Sequence, residues 1–436
     1  MASKKRKSKK PTLRRVVDLF MLTMYGVGVI IGAGIYSLIG KSAGMTGNSL
    51  WMSFLIAAVV SAFTGLSYAE LVSLFPKSAA EYTYVKKSLK SKMFAFSVGW
   101  ITIAANAIAA SVVALGFAGY LHALTGLPIL ASALVLIAIL SFVNFFGIGE
   151  SMKLNILFAF VEMLGLVLVI LFAIPHLGSV NYFEMPNGFT GVLSASALIF
   201  FAFIGFEEIV NIAEETKNPR KVSPKALILS IAITAIIYML ISVSAVSLAD
   251  WRDLAASAAP LALAASKEFG QSAFLLLSIT ALFATTNTVL ILLIVGSRDI
   301  YGMSNDGVLP RFLSKVHATR RTPWVAALVV MFIAMAFVFM ENIKTVASIT
   351  DFATFVVYFF VNASVLILRF TMPNLKRSFR TPVNIGNFPV LSFIGLFTIG
   401  ALAANLDPIT ILIGFGIFLS AFPIYYVFRK KSIINI

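Results

Sequence analysis

The chain has 436 residues, 59% of them hydrophobic and 12% charged, with a formal net charge of +16 and no cysteine. A soluble domain carries about 25% charged residues, so this composition excludes a soluble enzyme or binding module and leaves a polytopic membrane protein without a soluble domain. The lack of cysteine excludes disulfides, thiolate metal sites and a cysteine nucleophile.

Residues 1–15 form a basic tail. A full-length apolar span follows it with no small-residue cleavage site, so it reads as a cytoplasmic, lipid-touching segment rather than a nucleic-acid patch or a signal peptide. Crossing about 30 Å of hydrocarbon takes roughly 17 to 25 apolar residues. Such spans fall near 16–40, 49–75, 94–122, 128–147, 154–174 and 190–213, then near 226–248, 273–297, 324–340, 346–368, 387–406 and 408–428. Twelve helices are therefore expected, with residues 429–436 as a short carboxyl tail. Between the second and third spans, residues 76–92 are basic and aromatic and read partly as an interfacial helix. Between the seventh and eighth, residues 249–271 are rich in Ala and carry Asp250, Trp251 and Pro260, which suggests short helices over the external mouth.

Charge fixes the orientation. With a cytoplasmic amino terminus, 30 of the 34 Lys and Arg fall on the cytoplasmic side, and only Lys41, Arg252, Lys267 and Lys344 fall outside. That asymmetry is the positive-inside rule, and a miscounted helix would have mixed the two sides.

Two spans carry helix-interrupting stretches. In the first, Gly26, Gly28, Gly32 and Gly34 recur along Gly26 to Ile35. Small residues at such spacings form packing faces. Glycines two apart, Gly32 and Gly34, point in different directions, so one face does not require both, whereas a helix break does. In the sixth span, Gly205 within Phe200 to Glu208 permits a second break. Lipid tolerates irregular backbone only where protein or a cavity satisfies it, and interrupted helices in two halves mark a midplane site. Freed amides at a half-helix start suit a carboxylate; freed carbonyls in the other break suit an ammonium.

Four stretches in order carry a resemblance. They are Gly26 to Ile35; Leu66-Ser67-Tyr68-Ala69-Glu70-Leu71 with Phe75-Pro76-Lys77-Ser78 and Glu81-Tyr82-Thr83-Tyr84; Gly205-Phe206-Glu207 with Ala213 to Lys221; and Arg298 with Asn305 to Pro310 and Thr322-Pro323. In these the chain resembles the amino acid, polyamine and organocation (APC) transporter superfamily along nearly its full length. The resemblance implies an all-α membrane fold of five plus five inverted repeats, residues 16–174 and 190–369, with two further helices in 387–428 and discontinuous helices one and six. It implies that backbone at Ile31, Gly32, Ala33, Gly34 and Ile35 holds an amino acid carboxylate. It likewise implies that Phe201, Ala202, Phe203, Ile204 and Gly205 hold the amino group, with Phe201 or Phe203 as an aromatic gate.

Burying a charge in a span costs at least about 2.5 to 3.5 kcal/mol, so Glu70, Glu162, Glu207, Glu208 and Asp351 stand out. Glu70 and Asp351, near span ends, read as structural and interfacial. Glu207 follows the sixth-span break, where the resemblance implies an acid linked to gating or proton coupling; Glu208 reads as partner to a neighbour. Glu162 stands at the position where some proton-coupled relatives carry a lysine, so the charge is reversed. Either it carries the proton, or it helps ligate a cation, or it balances a cationic substrate, or it is an acid bonded to a neighbouring hydroxyl or amide. Thr285, Thr286 and Asn287 are either interhelical glue or a sodium site. Asn106, like Ser111, is a lone polar residue in a small-residue helix and a candidate reader of a substrate side chain.

His122, His176 and His317 lie far apart without a metal or triad pattern, and no nucleotide loop accompanies the glycines. No enzyme activity, cofactor, ATP hydrolysis, nucleic-acid partner or obligatory soluble partner is expected. The reading is a plasma-membrane, multi-pass secondary active transporter of amino acids or related amines, with both termini cytoplasmic, working by proton symport or exchange. The alternatives are a sodium-coupled symporter, a non-transporting amino acid sensor or accessory subunit, and a channel.

Overall fold

The computed structural model describes residues 17–32, 34–77, 80–146, 151–213, 216–317, 322–340 and 342–434. The basic tail, Ala33, Ser78, Gly147, Glu214 and Glu215 lie outside them. The first predicted span is two short helices, α1 (Leu19–Ile31) and α2 (Gly34–Thr46), with the backbone turning at Gly32. Asp18 caps α1 by accepting from Met21 N at 3.0 Å. α3 (Leu50–Leu74) leads to α4 (Ala80–Ser88), then to α5 (Lys92–Thr125), α6 (Ile129–Phe146) and α7 (Ser151–Ala173).

The sixth predicted span is α8 (Gly188–Ile199), a 3-10 turn at Phe200–Phe203, and the single helical turn α9 (Glu208–Asn211). There follow α10 (Pro219–Leu248), α11 (Trp251–Ala256), α12 (Pro260–Asn305), α13 (Trp324–Val338) and α14 (Ile343–Thr371). A hairpin of β1 (Asn384–Ile385) and β2 (Phe388–Pro389) precedes α15 (Val390–Ala403) and α16 (Pro408–Ile434). The expected helices over 249–271 are α11 and the start of α12, which bends at Gly270.

The chain is an all-α polytopic membrane protein: among the described residues, eight helical stretches are long and apolar enough to cross a membrane. Four shorter apolar helices accompany them, α1, α6, α13 and α15. α5 is the axis of the bundle, packed most extensively on α12 and α14. Its run of Ala and Gly between Gly99 and Gly119 lets neighbouring backbones approach closely. α16 lies at the rim, with Leu412, Phe415 and Leu419 exposed as a lipid-facing helix requires.

Two places read from the sequence as interfacial are covered by protein. In α4, Glu81, Tyr82, Tyr84 and Val85 are buried against α5 and α14, while Lys86 and Lys87 stay exposed. Asp351 is the second. It lies two turns into α14, fully buried, with no hydrogen bond to either carboxylate oxygen among the described residues. Glu70, by contrast, is clamped. Its carboxylate accepts from Arg369 Nε and Nη2 at 2.7 and 2.6 Å, Arg377 Nε at 3.0 Å, and Thr381 N and Oγ1 at 2.9 and 2.6 Å. It thereby ties α3 to the end of α14 and to the segment before the hairpin.

Candidate functional site

The two breaks touch. A Cβ added to Gly34 would lie 2.2 Å from Ala202 Cα, so only glycine lets the start of α2 approach the 3-10 turn. Gly205 has φ +118°, a left-handed conformation that L side chains rarely adopt, and an added Cβ would meet Val29 Cγ1 at 2.7 Å. The chain leaves the helical ladder at both places against the other break. Carbonyls released there still need donors. Tyr238 of α10 shares one between them: its single hydroxyl proton lies between Ile30 O at 2.7 Å and Ala202 O at 2.9 Å.

Two small adjoining clefts open beside this contact. The first is walled by Val29, Ile30, Gly34, Phe201, Ile204 and Gly205, with Asn106, Glu207, Glu208 and Thr288 as its polar groups. The second runs toward α4 and adds Tyr68, Glu81, Asn211, Thr354 and Tyr358, while sharing Asn106, Ile204, Glu207 and Glu208. Of the residues singled out in the sequence, Gly34, Phe201, Ile204, Gly205, Asn106 and Glu207 are thus brought together. Ile31, Gly32, Ile35, Ala202 and Phe203 are buried behind them and do not line the cavities. The two candidate gate rings part company: Phe201 faces the first cavity, and Phe203 packs edge-on against Tyr238 with centroids 5.2 Å apart.

Glu207 braces the second break. Its Oε2 accepts from Gly205 N at 2.9 Å and from Tyr358 OH of α14 at 2.6 Å. Glu208 Oε2 accepts from Asn211 Nδ2 at 3.2 Å. Glu81 reaches the second cavity from α4, with Tyr68 OH donating to its Oε1 at 3.1 Å. Burial pushes the Glu81 carboxyl up to about 8, and the nearby Asp299 and Glu207 carboxylates push in the same direction. Asn106 Nδ2 donates to Asp299 Oδ2 at 3.0 Å.

Glu162 lies apart from both cavities. It is fully buried on α7, behind the first break, and Tyr36 OH donates to its backbone oxygen at 3.1 Å. Neither carboxylate oxygen makes a close hydrogen bond among the described residues; the Asn287 amide is the neighbour that acts on it as a donor at longer range. Thr285 Oγ1 donates to Ala281 O at 2.6 Å, and Thr286 is partly exposed. Among the described residues, no three acidic or histidine side chains gather as a metal site.

Sequence reasoning missed four polar groups here. Tyr238 and Tyr358 sit in apolar helices where no spacing rule marks them, and Thr288 adjoins the 285–287 stretch but faces Gly32 and the cavity. Asp299 was readable as an acid beside Arg298 near the end of an apolar helix, a signal of the same kind that marked Glu162.

Comparison with known proteins adds a separate line of observation. The family model described as amino acid permease matches residues 16–428. The chain is 31% identical to the branched-chain amino acid permease BcaP of Bacillus subtilis over 96% of this chain and 94% of the relative. It is also 31% identical to the methylthioribose transporter of Bacillus subtilis over 86% of each chain. With the vacuolar cationic amino acid transporter 4 of Arabidopsis thaliana the identity is 30%, over 81% of this chain and 63% of the relative.

Proposed function

Because the chain belongs to the amino acid permease family, we propose that it is a secondary active transporter of amino acids or related amines that works by alternating access. The observation that carries this reading is the contact between two helix breaks beside a small, mostly apolar cleft with a few polar groups. In this reading the twelve spans form two inverted five-helix halves, 16–174 and 190–369, followed by the helices of 387–428. The protein sits in the plasma membrane with both termini cytoplasmic.

The carboxylate of a bound amino acid meets the amides and positive dipole end of α2 at Gly34. Its ammonium meets the carbonyls around Phe201 to Ile204. Tyr238 uses one lone pair on Ile30 O and one on Ala202 O, and each carbonyl keeps a second for a substrate donor. Phe201 is the gate of the pair, since it faces the cavity. Glu207 joins the sixth-span break to α14, so a change in its protonation alters the bonds to Gly205 N and Tyr358 OH together.

Coupling to protons, by symport or exchange, is the favoured mode, with Glu162 and Glu207 as the coupling acids. Sodium is the second reading, favoured by the Glu162 carboxylate, whose oxygens make no close hydrogen bond among the described residues, beside the α12 helix that carries the oxygen-bearing Thr285, Thr286 and Asn287. Reconstituted vesicles tested with a proton gradient and a sodium gradient separately decide between them. Uptake driven by protons alone supports the first; a strict sodium requirement supports the second. Binding without flux under either gradient overturns transport and leaves a sensor or accessory subunit.

A further inference from the structure

Asp299 has no role in the transport reading above, yet it accepts the side-chain hydrogen bond that Asn106 donates. Asn106 lines both cavities, together with Glu207 and Glu208. It projects from α5, and α12 comes close enough that a Cβ on Gly296 would lie 3.6 Å from Asn106 Cβ. Asp299 is three residues beyond Gly296, on the same face of α12, which brings its Oδ2 within 3.0 Å of Asn106 Nδ2. A second contact fixes this register, because seven residues earlier on α5 and seven later on α12, Gly99 packs on Met303.

The chemistry of the bond sets the direction of the amide. An ionised carboxylate only accepts, whereas a carboxamide carries an NH2 donor and a carbonyl acceptor. Asp299 therefore draws the NH2 group of Asn106 toward α12 and leaves the carbonyl Oδ1 as the amide's free acceptor at the cavities. The other charged lining groups are all acids: Glu81 from α4, Glu207 beside the break and Glu208 from α9. No Lys, Arg or His lines either cavity among the described residues. Asn211, Tyr68 and Tyr358 take up part of this acid capacity, and the nearest cation in sequence, Arg298, is exposed.

We propose that Asp299 is a positioning residue for substrate selectivity: it turns Asn106 Oδ1 toward the cavities so that this oxygen, with the Glu208 carboxylate, receives the cationic end of a substrate side chain. The proposal rests on the transport reading above and names its substrate class as amino acids with a positively charged side chain. An aliphatic side chain in the same place offers no hydrogen to Oδ1 and no charge to Glu208. Sites built to hydrogen-bond a substrate group discriminate strongly against analogues that lack it.

The test is competitive uptake of lysine and leucine by reconstituted wild type, Asp299→Asn, Asn106→Leu and the double variant. Wild type is expected to favour lysine. In Asn106→Leu the lysine-to-leucine ratio of kcat/KM falls about tenfold, the scale of one lost charge-assisted hydrogen bond. Asp299→Asn, whose amide can donate as well as accept, lowers the ratio similarly, and the double variant falls no further, as two residues acting through one contact must. Asp299→Glu, which keeps an accepting carboxylate, retains more of the lysine preference than Asp299→Asn, and this comparison holds if the amide variant folds poorly. An unchanged ratio in Asp299→Asn, or additive losses in the double variant, overturns the positioning role. A wild type that favours leucine overturns the cationic substrate class alone. A wild type that takes up no amino acid under any gradient overturns the transport reading beneath it.

Discussion

Glu70 and Glu162 are both buried acids within apolar helices, and their surroundings are opposite. Glu70 accepts from five donors on Arg369, Arg377 and Thr381, so its charge is neutralised and every lone pair direction is in use. Glu162 has no close hydrogen bond to either oxygen, and its one donor neighbour is the Asn287 amide at longer range. A fully paired buried acid joins elements: here it fastens α3 to α14 and the segment before the hairpin. An unpaired one costs stability, and its position behind the first break gives it something to act on. The contrast separates an acid held by many partners from one with few, without reference to where either lies in the sequence.

The largest expected effect comes from breaking the paired side. Glu70→Ala leaves Arg369 buried without its counter-charge, and removing one partner of such a pair costs about 3–5 kcal/mol. Thermal unfolding in detergent should show a steep loss of Tm; a change within error would remove Glu70 from its structural role.

Next come the contacts that hold the two breaks together. Gly205→Ala forces an L residue to φ +118° against Val29, at a cost of about 1–3 kcal/mol, and should weaken substrate binding together with stability. Tyr238→Phe removes the donor shared by Ile30 O and Ala202 O, and orphaned buried acceptors cost about 1–3 kcal/mol. Its sharper signature is faster amide hydrogen exchange at both breaks at once. Exchange altered at one break alone would show that Tyr238 does not couple them.

A smaller effect concerns Glu81. Its carboxyl is raised from 4.5 to about 8 by burial. Between those values the folded protein holds a proton that the unfolded chain has released, so stability falls as pH rises through that window. Tm measured across it should decline in wild type and decline less in Glu81→Gln. Parallel curves would mean that Glu81 is not buried in solution.

Much of this was legible from the sequence because membrane physics constrains a chain harshly. Span length, Lys and Arg asymmetry and the glycines of the first and sixth spans identified a polytopic protein with two interrupted helices, and Gly34, Gly205, Phe201, Asn106 and Glu207 do meet. The division of labour inside each break was not legible. Ile31 and Ile35 were expected at the site because the family resemblance implied backbone contacts there, but both are buried and line neither cavity. Tyr238, Tyr358 and Asp299 enter from helices distant in sequence, and only packing brings their polar atoms to the breaks. α4 read as interfacial because its Lys residues suit a headgroup layer, while its Glu81 and Tyr84 face inward.

Glu162→Gln tests the central contrast most directly, with Tm and proton-driven amino acid uptake measured on the same reconstituted protein. The expected result is an unchanged or raised Tm, since a buried acid with few partners is replaced by an amide of the same size, together with loss of the pH-driven component of uptake. A fall in Tm like that of Glu70→Ala, with pH-driven uptake intact, would make Glu162 a second structural acid and contradict the account.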